Sequence, residues 1–118
     1  MNCHIRSLYI CVRDMERAVT FYEAFFEARV TRRDDIYSVF DVNGFRFGLF
    51  AYEKTGENHT FGNSCLPSVD VPDRAALQEK LRDKKVVFPV TRIGSNWVSE
   101  FEDSEGNHIE LTAQVGTE

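Results

Sequence analysis

The chain is poor in the features that mark secreted, membrane and nucleic-acid-binding proteins. Its three cysteines, Cys3, Cys11 and Cys65, are odd in number and widely spaced. They form neither a disulfide framework nor a zinc motif. Cys in apolar strand-like runs behaves as a small hydrophobe, and a reducing, cytoplasmic setting is expected. Positive charge is scarce as well: 14 Lys and Arg stand against 19 Asp and Glu, for a net charge of −5. Phosphate backbones are gripped by clustered Lys and Arg, so no nucleic acid is expected as partner. No apolar run approaches a membrane span and no basic-then-apolar signal opens the chain, so no membrane association is expected either. Gly-rich phosphate loops and the Gly-x-Ser-x-Gly nucleophile elbow are missing from the sequence.

What is present suits one α+β domain. A length of 118 residues is enough to bury a core without covalent staples. Ten Phe residues are available to fill that core, to line an apolar cavity, or both.

Alternation predicts a first strand over residues 4–12, with Ser7, Tyr9 and Cys11 on one face and Leu8, Ile10 and Val12 on the other. Asp14 is a plausible cap for a helix from Met15 to about Glu27, whose Met15, Ala18, Val19, Tyr22, Phe25 and Phe26 form an apolar stripe. Strands are expected over 28–33, 36–42 and 45–52, the last two joined by Asn43-Gly44, a strong hairpin signal. A polar linking loop follows. The pattern then restarts with a strand over 64–69, a helix from Pro72 to about Lys85, and strands over 86–93, 97–102 and 107–113.

The order βαβββ–βαβββ is accompanied by residue matches. Ser7, Val12, Arg17 and Ala18 recur 57 positions later as Ser64, Val69, Arg74 and Ala75, and Asp14 returns as Asp70. At the far end the offset is 62, pairing Gly44, Phe47 and Leu49 with Gly106, Ile109 and Leu111. The chain therefore reads as a duplication: module one about 1–53, linking loop 54–63, module two about 64–118, within a single domain spanning 1–118.

Val12-x-Asp14-Met15-x-x-Ala18-x-x-Phe21-Tyr22, with the later Asp103-Ser104-Glu105-Gly106-Asn107-His108-Ile109-Glu110-Leu111, resembles the vicinal oxygen chelate superfamily. That group includes glyoxalase I, extradiol dioxygenases, fosfomycin-resistance enzymes and bleomycin-resistance proteins. The resemblance covers essentially the whole chain, although Ser104 stands where the family usually has Pro. It implies tandem βαβββ modules forming a half-open curled sheet around a cleft, and a homodimer.

In metal-dependent relatives the resemblance implies four ligand positions, which fall here on Ser7, Gly48, Ser64 and Glu110. The repeat pairs the same residues, Ser7 with Ser64 and Gly48 with Glu110. Only Glu110 offers a good donor for a divalent cation, since a hydroxyl is a weak ligand and Gly supplies none. No cofactor is therefore expected. A displaced metal held by His108, Glu110 and His59 is the alternative, His108 and Glu110 sharing a strand face.

Strand parity then gives the expected binding face: Ser7 and Tyr9; Arg46, Gly48 and Phe50; Ser64 and Leu66; and His108, Glu110 and Thr112. Trp97 is either an aromatic lip to that face or an edge residue of the core. Glu110 either orients a cationic ligand, acts as a general base, or pairs with Arg46 of the other module.

The expected function is metal-free binding of a small amphipathic or cationic molecule, similar to bleomycin-resistance-type proteins. The alternatives are a glyoxalase-like lyase, isomerase or dioxygenase with a displaced metal or with Glu110 as acid–base catalyst, and a vestigial domain that serves assembly.

Overall fold

Two short stretches of backbone fix how the first half folds. Asp14 accepts from Arg17 N at 3.0 Å and starts helix α1, Met15–Phe26, after strand β1, Ser7–Cys11. Glu27, in the left-handed region at φ 55°, ends the helix. Asn43 (φ 50°) and Gly44 (φ 91°) form the tight turn between β2, Tyr37–Val42, and β3, Phe45–Phe50. This turn needs two residues with positive φ, which Asn and Gly tolerate best. Strand β1 pairs parallel with β3, and β2 pairs antiparallel, so the sheet order is β1-β3-β2.

The computed structural model describes residue 2, residues 5–57, residue 59 and residues 66–116. The chain divides into two compact units, residues 1–61 and 62–118, and the division falls inside the expected linking loop. Part of that loop is ordered, because Tyr52–Thr55 makes a single 3₁₀ turn.

In the first unit the apolar stripe of α1 covers one face of the sheet. Tyr22 lies 5.2 Å from Phe47 and 6.4 Å from Phe40, centroid to centroid, and Phe26 contacts the same two rings. Leu49, Phe47 and Phe40 are buried there, Phe47 and Leu49 alternating with the expected face of Arg46, Gly48 and Phe50. Phe25, Phe40, Phe47 and Phe101 are buried, whereas Phe45 and Phe88 are exposed.

The expected strand over 28–33 is replaced by one bridge, Arg32 with Val39. A side chain takes one of its backbone donors, and two others converge on a single carbonyl. Glu23 Oε2 accepts from Val30 N at 3.0 Å, and both Thr31 N and Arg32 N donate to Val39 O. Asp34 then turns the chain, its Oδ2 accepting from Ile36 N at 2.9 Å and Tyr37 N at 3.0 Å. Local bonds of this kind compete directly with a ladder.

The second unit repeats the plan. Its elements are β4, Ser68–Val71; α2, Arg74–Leu81; β5, Lys85–Ile93; β6, Asn96–Glu102; and β7, His108–Gln114. The sheet order is β4-β7-β6-β5, with β4 parallel to β7. Asp73, not Pro72 or Asp70, caps α2 by accepting from Ala76 N at 2.8 Å. The helix ends four residues earlier than expected, and Lys85 already belongs to β5. The first strand is also later than expected: it begins at Ser68, while the expected start at Ser64 lies outside the described residues.

These shifts correct the repeat. Tyr9 pairs with Gly48 in the first sheet, and Ser68 pairs with Glu110 in the second. With Gly48 matched to Glu110, Tyr9 corresponds to Ser68, an offset of 59 and not 57. The same offset matches Val12 with Val71, Asp14 with Asp73, and the buried Ala18 and Tyr22 with the buried Leu77 and Leu81. The earlier identities had followed residue type without register. Among the described residues, no helix is long and apolar enough to cross a membrane.

Candidate functional site

The face of each sheet turned away from its helix carries the chemistry. In the first sheet the pairings place Ser7, Arg46 and Asp41 in one row, Tyr9, Gly48 and Val39 in the next, and Cys11, Phe50 and Tyr37 in the third. Paired residues share a face, so this register collects Tyr9, Tyr37 and Phe50 around Gly48. Tyr9 lies 5.9 Å from Tyr37 and 5.4 Å from Phe50, and Tyr37 lies 6.3 Å from Phe50, all centroid to centroid. The Tyr9 contacts are edge-to-face, the arrangement that ring quadrupoles favour. Tyr9 nevertheless stays 49% exposed.

Gly48 is what permits this packing. A Cβ built on it would overlap the Tyr37 hydroxyl, stand 2.5 Å from Tyr37 Cζ, and touch Tyr9 Cβ at 3.0 Å. Ordinary carbon contacts lie near 3.5–4.0 Å. The Tyr37 phenol therefore occupies the space that any side chain at position 48 would need. Tyr37 is absent from the expected face, whose residues in this sheet come from β1 and β3 alone. The hairpin turn held the missing signal: pairing Val42 with Phe45 across Asn43-Gly44 sets Tyr37 opposite Phe50.

One end of this aromatic cluster is acidic. Glu57 accepts from Thr55 Oγ1 at 3.1 Å and contacts His59 Nε2 at 3.1 Å. His59 packs edge-on against Phe50 and Tyr52, at 6.1 Å and 5.4 Å. The thiol of Cys11, beside Phe50, is pushed above its ordinary value, first by burial and then by the negative charge of Glu57. A thiol shifted in that direction is a poor nucleophile at neutral pH.

The equivalent face of the second sheet is polar. Glu110 stands between Ser68 and Glu100 in the ladder, and Ser68 Oγ donates to Glu110 Oε1 at 2.7 Å. His108 Nδ1 meets Glu100 Oε2 at 2.6 Å, with both side chains largely buried. Thr112 Oγ1 donates to Asp70 Oδ1 at 3.0 Å, and Lys85 pairs with Glu102 at 3.0 Å. Like charges directly across a ladder repel. Glu100 and Glu110 tolerate each other because each carboxylate has its own donor, an imidazole for one and a hydroxyl for the other. In the corrected repeat Val98 stands where Tyr37 does, which leaves room at position 110 for a carboxylate.

The expected site residues thus fall into two groups. Ser7, Tyr9, Arg46, Gly48 and Phe50 share the face of the first sheet, and His108, Glu110 and Thr112 share that of the second. Leu66 precedes β4, two residues before Ser68, and corresponds to Ser7 at the corrected offset. Ser64 lies outside the described residues. Trp97 does not join either group. It pairs with Ala113 on the helix side of the second sheet, with the Arg74 guanidinium 4.1 Å above its ring. The lip is therefore excluded, and Trp97 is packed beside α2.

The described ligand positions are poor in metal donors. Position 48 has no side chain and its space is filled by a phenol, while the sole good donor among the expected positions, Glu110, is held by Ser68. His59 is engaged by Glu57 and His108 by Glu100. Among the described residues, no group of three or more His, Cys, Asp or Glu side chains converges to hold an ion.

Residues 4–111 match the family model described as Glyoxalase/Bleomycin resistance protein/Dioxygenase superfamily. No curated protein matches the chain. Solved structures share the fold at low identity. A protein from Agrobacterium tumefaciens, determined by NMR, has a TM-score of 0.81 at 16% identity, over 97% of this chain and 99% of its own. A glyoxalase-related enzyme from Fulvimarina pelagi has a TM-score of 0.78 at 17% identity, over 94% and 88%. A glyoxalase/bleomycin resistance protein/dioxygenase family enzyme from Burkholderia phytofirmans reaches 0.74 at 16% identity, over 92% and 97%.

Proposed function

The chain belongs to the Glyoxalase/Bleomycin resistance protein/Dioxygenase superfamily, and we propose that within it this protein binds a small amphipathic or cationic molecule without a metal, sequestering or sensing it. The observation that carries this reading is the Tyr37 phenol over Gly48, which puts an aromatic surface where a ligating side chain would stand. A half-exposed aromatic cluster edged by a carboxylate supplies apolar area with a few orienting polar groups, the usual make-up of a small-molecule site. The proposal includes a cytoplasmic homodimer, expected from the cysteine pattern and the family resemblance respectively.

Metal analysis and ligand screening test it together. Protein purified without chelator is expected to carry no stoichiometric divalent metal, and a screen rich in aromatic amines is expected to raise its melting temperature. Stoichiometric metal that disappears in Glu110→Ala would overturn the proposal.

A second reading rests on the 2.6 Å contact between His108 and Glu100. A carboxylate on one ring nitrogen fixes the imidazole and directs the other nitrogen away, as in a general base and its orienting acid. In that reading the protein is a metal-free lyase or isomerase using His108 with Glu110 nearby. Turnover of a carbonyl substrate that is abolished in His108→Gln, with binding retained, would favour it.

A further inference from the structure

The first sheet narrows the class of ligand. We propose that Tyr9, Tyr37 and Phe50 form a platform for a planar aromatic cation, the ring stacking on Tyr9 and the positive charge lying toward Glu57. This rests on the metal-free binding reading and specifies its ligand.

Planarity follows from the spacing of the rings. Their centroids lie 5.4–6.3 Å apart, so they already touch one another and leave no slot for a compact ammonium group. A cage for such a group needs rings parted widely enough to admit it. What remains available is ring surface, chiefly that of Tyr9 at 49% exposure. A flat bicyclic ring covers such a surface well, because offset and edge contacts between rings are favourable.

The positive charge follows from the neighbours. Aromatic faces are electron-rich and attract cations. Glu57, with a half-exposed side chain, brings a carboxylate to the Phe50 end, where it contacts the His59 ring that packs on Phe50. Arg46 lies at the opposite end of the face, in the row with Asp41. The cluster therefore runs from an acidic end at Glu57 to a balanced one at Arg46. Tyr37 and Gly48 act as positioning residues: the glycine lets the phenol lie against the strand, and the phenol buttresses Tyr9.

The probes are N-methylquinolinium, its neutral counterpart quinoline at pH 8, and tetramethylammonium, each titrated into the full chain carrying ¹³C-labelled Tyr rings. N-methylquinolinium is expected to shift the Tyr9 and Tyr37 ring resonances saturably and to bind about threefold or more tighter than quinoline. Tetramethylammonium is expected to be weakest. Tyr9→Leu, which keeps apolar area but removes the ring, is expected to lower affinity for the quinolinium about tenfold. Glu57→Gln, on an exposed side chain, should reduce the preference for the quinolinium over quinoline without abolishing it, since the ring faces still attract the cation.

Saturable binding that leaves Tyr9 and Tyr37 unmoved would overturn the platform while leaving small-molecule binding intact. So would tighter binding of tetramethylammonium than of the quinolinium, or unchanged selectivity in Glu57→Gln. Failure of these probes beside stabilisation by other screened compounds overturns the platform alone. Failure of every compound overturns the binding reading with it.

Discussion

Gly48→Ala is the smallest change that challenges the site, since it adds one methyl group where the Tyr37 phenol lies. The new Cβ would be 2.5 Å from Tyr37 Cζ and 3.0 Å from Tyr9 Cβ, about 1 Å inside ordinary contact for the first. Strand β1 holds Tyr9 Cβ in place, so the Tyr37 ring must swing out. It then loses its contacts with Tyr9 and Phe50, each worth about 0.5–1.5 kcal/mol. Replacing Gly by Ala within a strand returns roughly 0.5–1 kcal/mol. A net cost of about 1–2 kcal/mol is expected, or about 3–5 °C in melting temperature per kcal/mol for a chain of this size.

Tyr37→Val forfeits the same ring contacts and should cost a similar amount by itself. The double variant imitates the second sheet, where Val98 stands beside an occupied position. It should therefore be no less stable than Tyr37→Val alone, giving a coupling of about 1–2 kcal/mol. Urea unfolding followed by far-UV circular dichroism measures all four corners of the cycle. Additivity within about 0.5 kcal/mol, or a Gly48→Ala variant as stable as the parent, would refute the steric account.

Three further outcomes are expected. The Asp34 carboxyl is held below its ordinary value first by the Tyr37 amide and then by the Ile36 amide, so its contribution is present above the unfolded-state value and lost as pH falls through the folded one. The stability gap between the parent and Asp34→Asn should be widest near neutrality and shrink below about pH 4, and a melting-temperature gap constant from pH 7 to pH 3 would contradict it. With Cys3 and Cys65 replaced by Ser, the pH midpoint for alkylation of Cys11 should lie above that of an ordinary thiol, because burial and Glu57 both disfavour the thiolate. Glu57→Gln should lower that midpoint only part of the way, since burial is the larger cause; no change would remove Glu57 from the neighbourhood. Asp73→Ala should cost about 1 kcal/mol in chemical unfolding as a lost helix cap, and a neutral result would undo the corrected repeat at that position.

Much of the fold was legible because it rests on local rules. Alternation in β1 and β3, the α1 stripe and the Asn43-Gly44 turn each have one sensible solution. The stretch over 28–33 looked like a strand because its residues suit one. Its pairing was decided elsewhere, by Glu23 from the preceding helix and by the Asp34 turn. The repeat offset failed for a similar reason, since shared Ser, Arg and Ala say little about register, whereas buried positions and caps say a great deal. Trp97 could not be assigned from sequence because its face depends on pairing with Ala113. Tyr37, the residue on which the proposals turn, could have been found by counting outward from the hairpin turn.

The corrected register has one more consequence. In both sheets the backbone ladder is made of main-chain bonds, and the residues that differ most between them, Tyr9 and Ser68, Tyr37 and Val98, Gly48 and Glu110, Phe50 and Thr112, project from corresponding rungs of it. The aromatic and the polar side chains thus project from a main-chain support of the same design in both sheets. Exchanging those pairs as a set would transplant an aromatic face for a polar one while leaving each ladder's own bonds in place, so this chain holds two interchangeable inscriptions of a single scaffold.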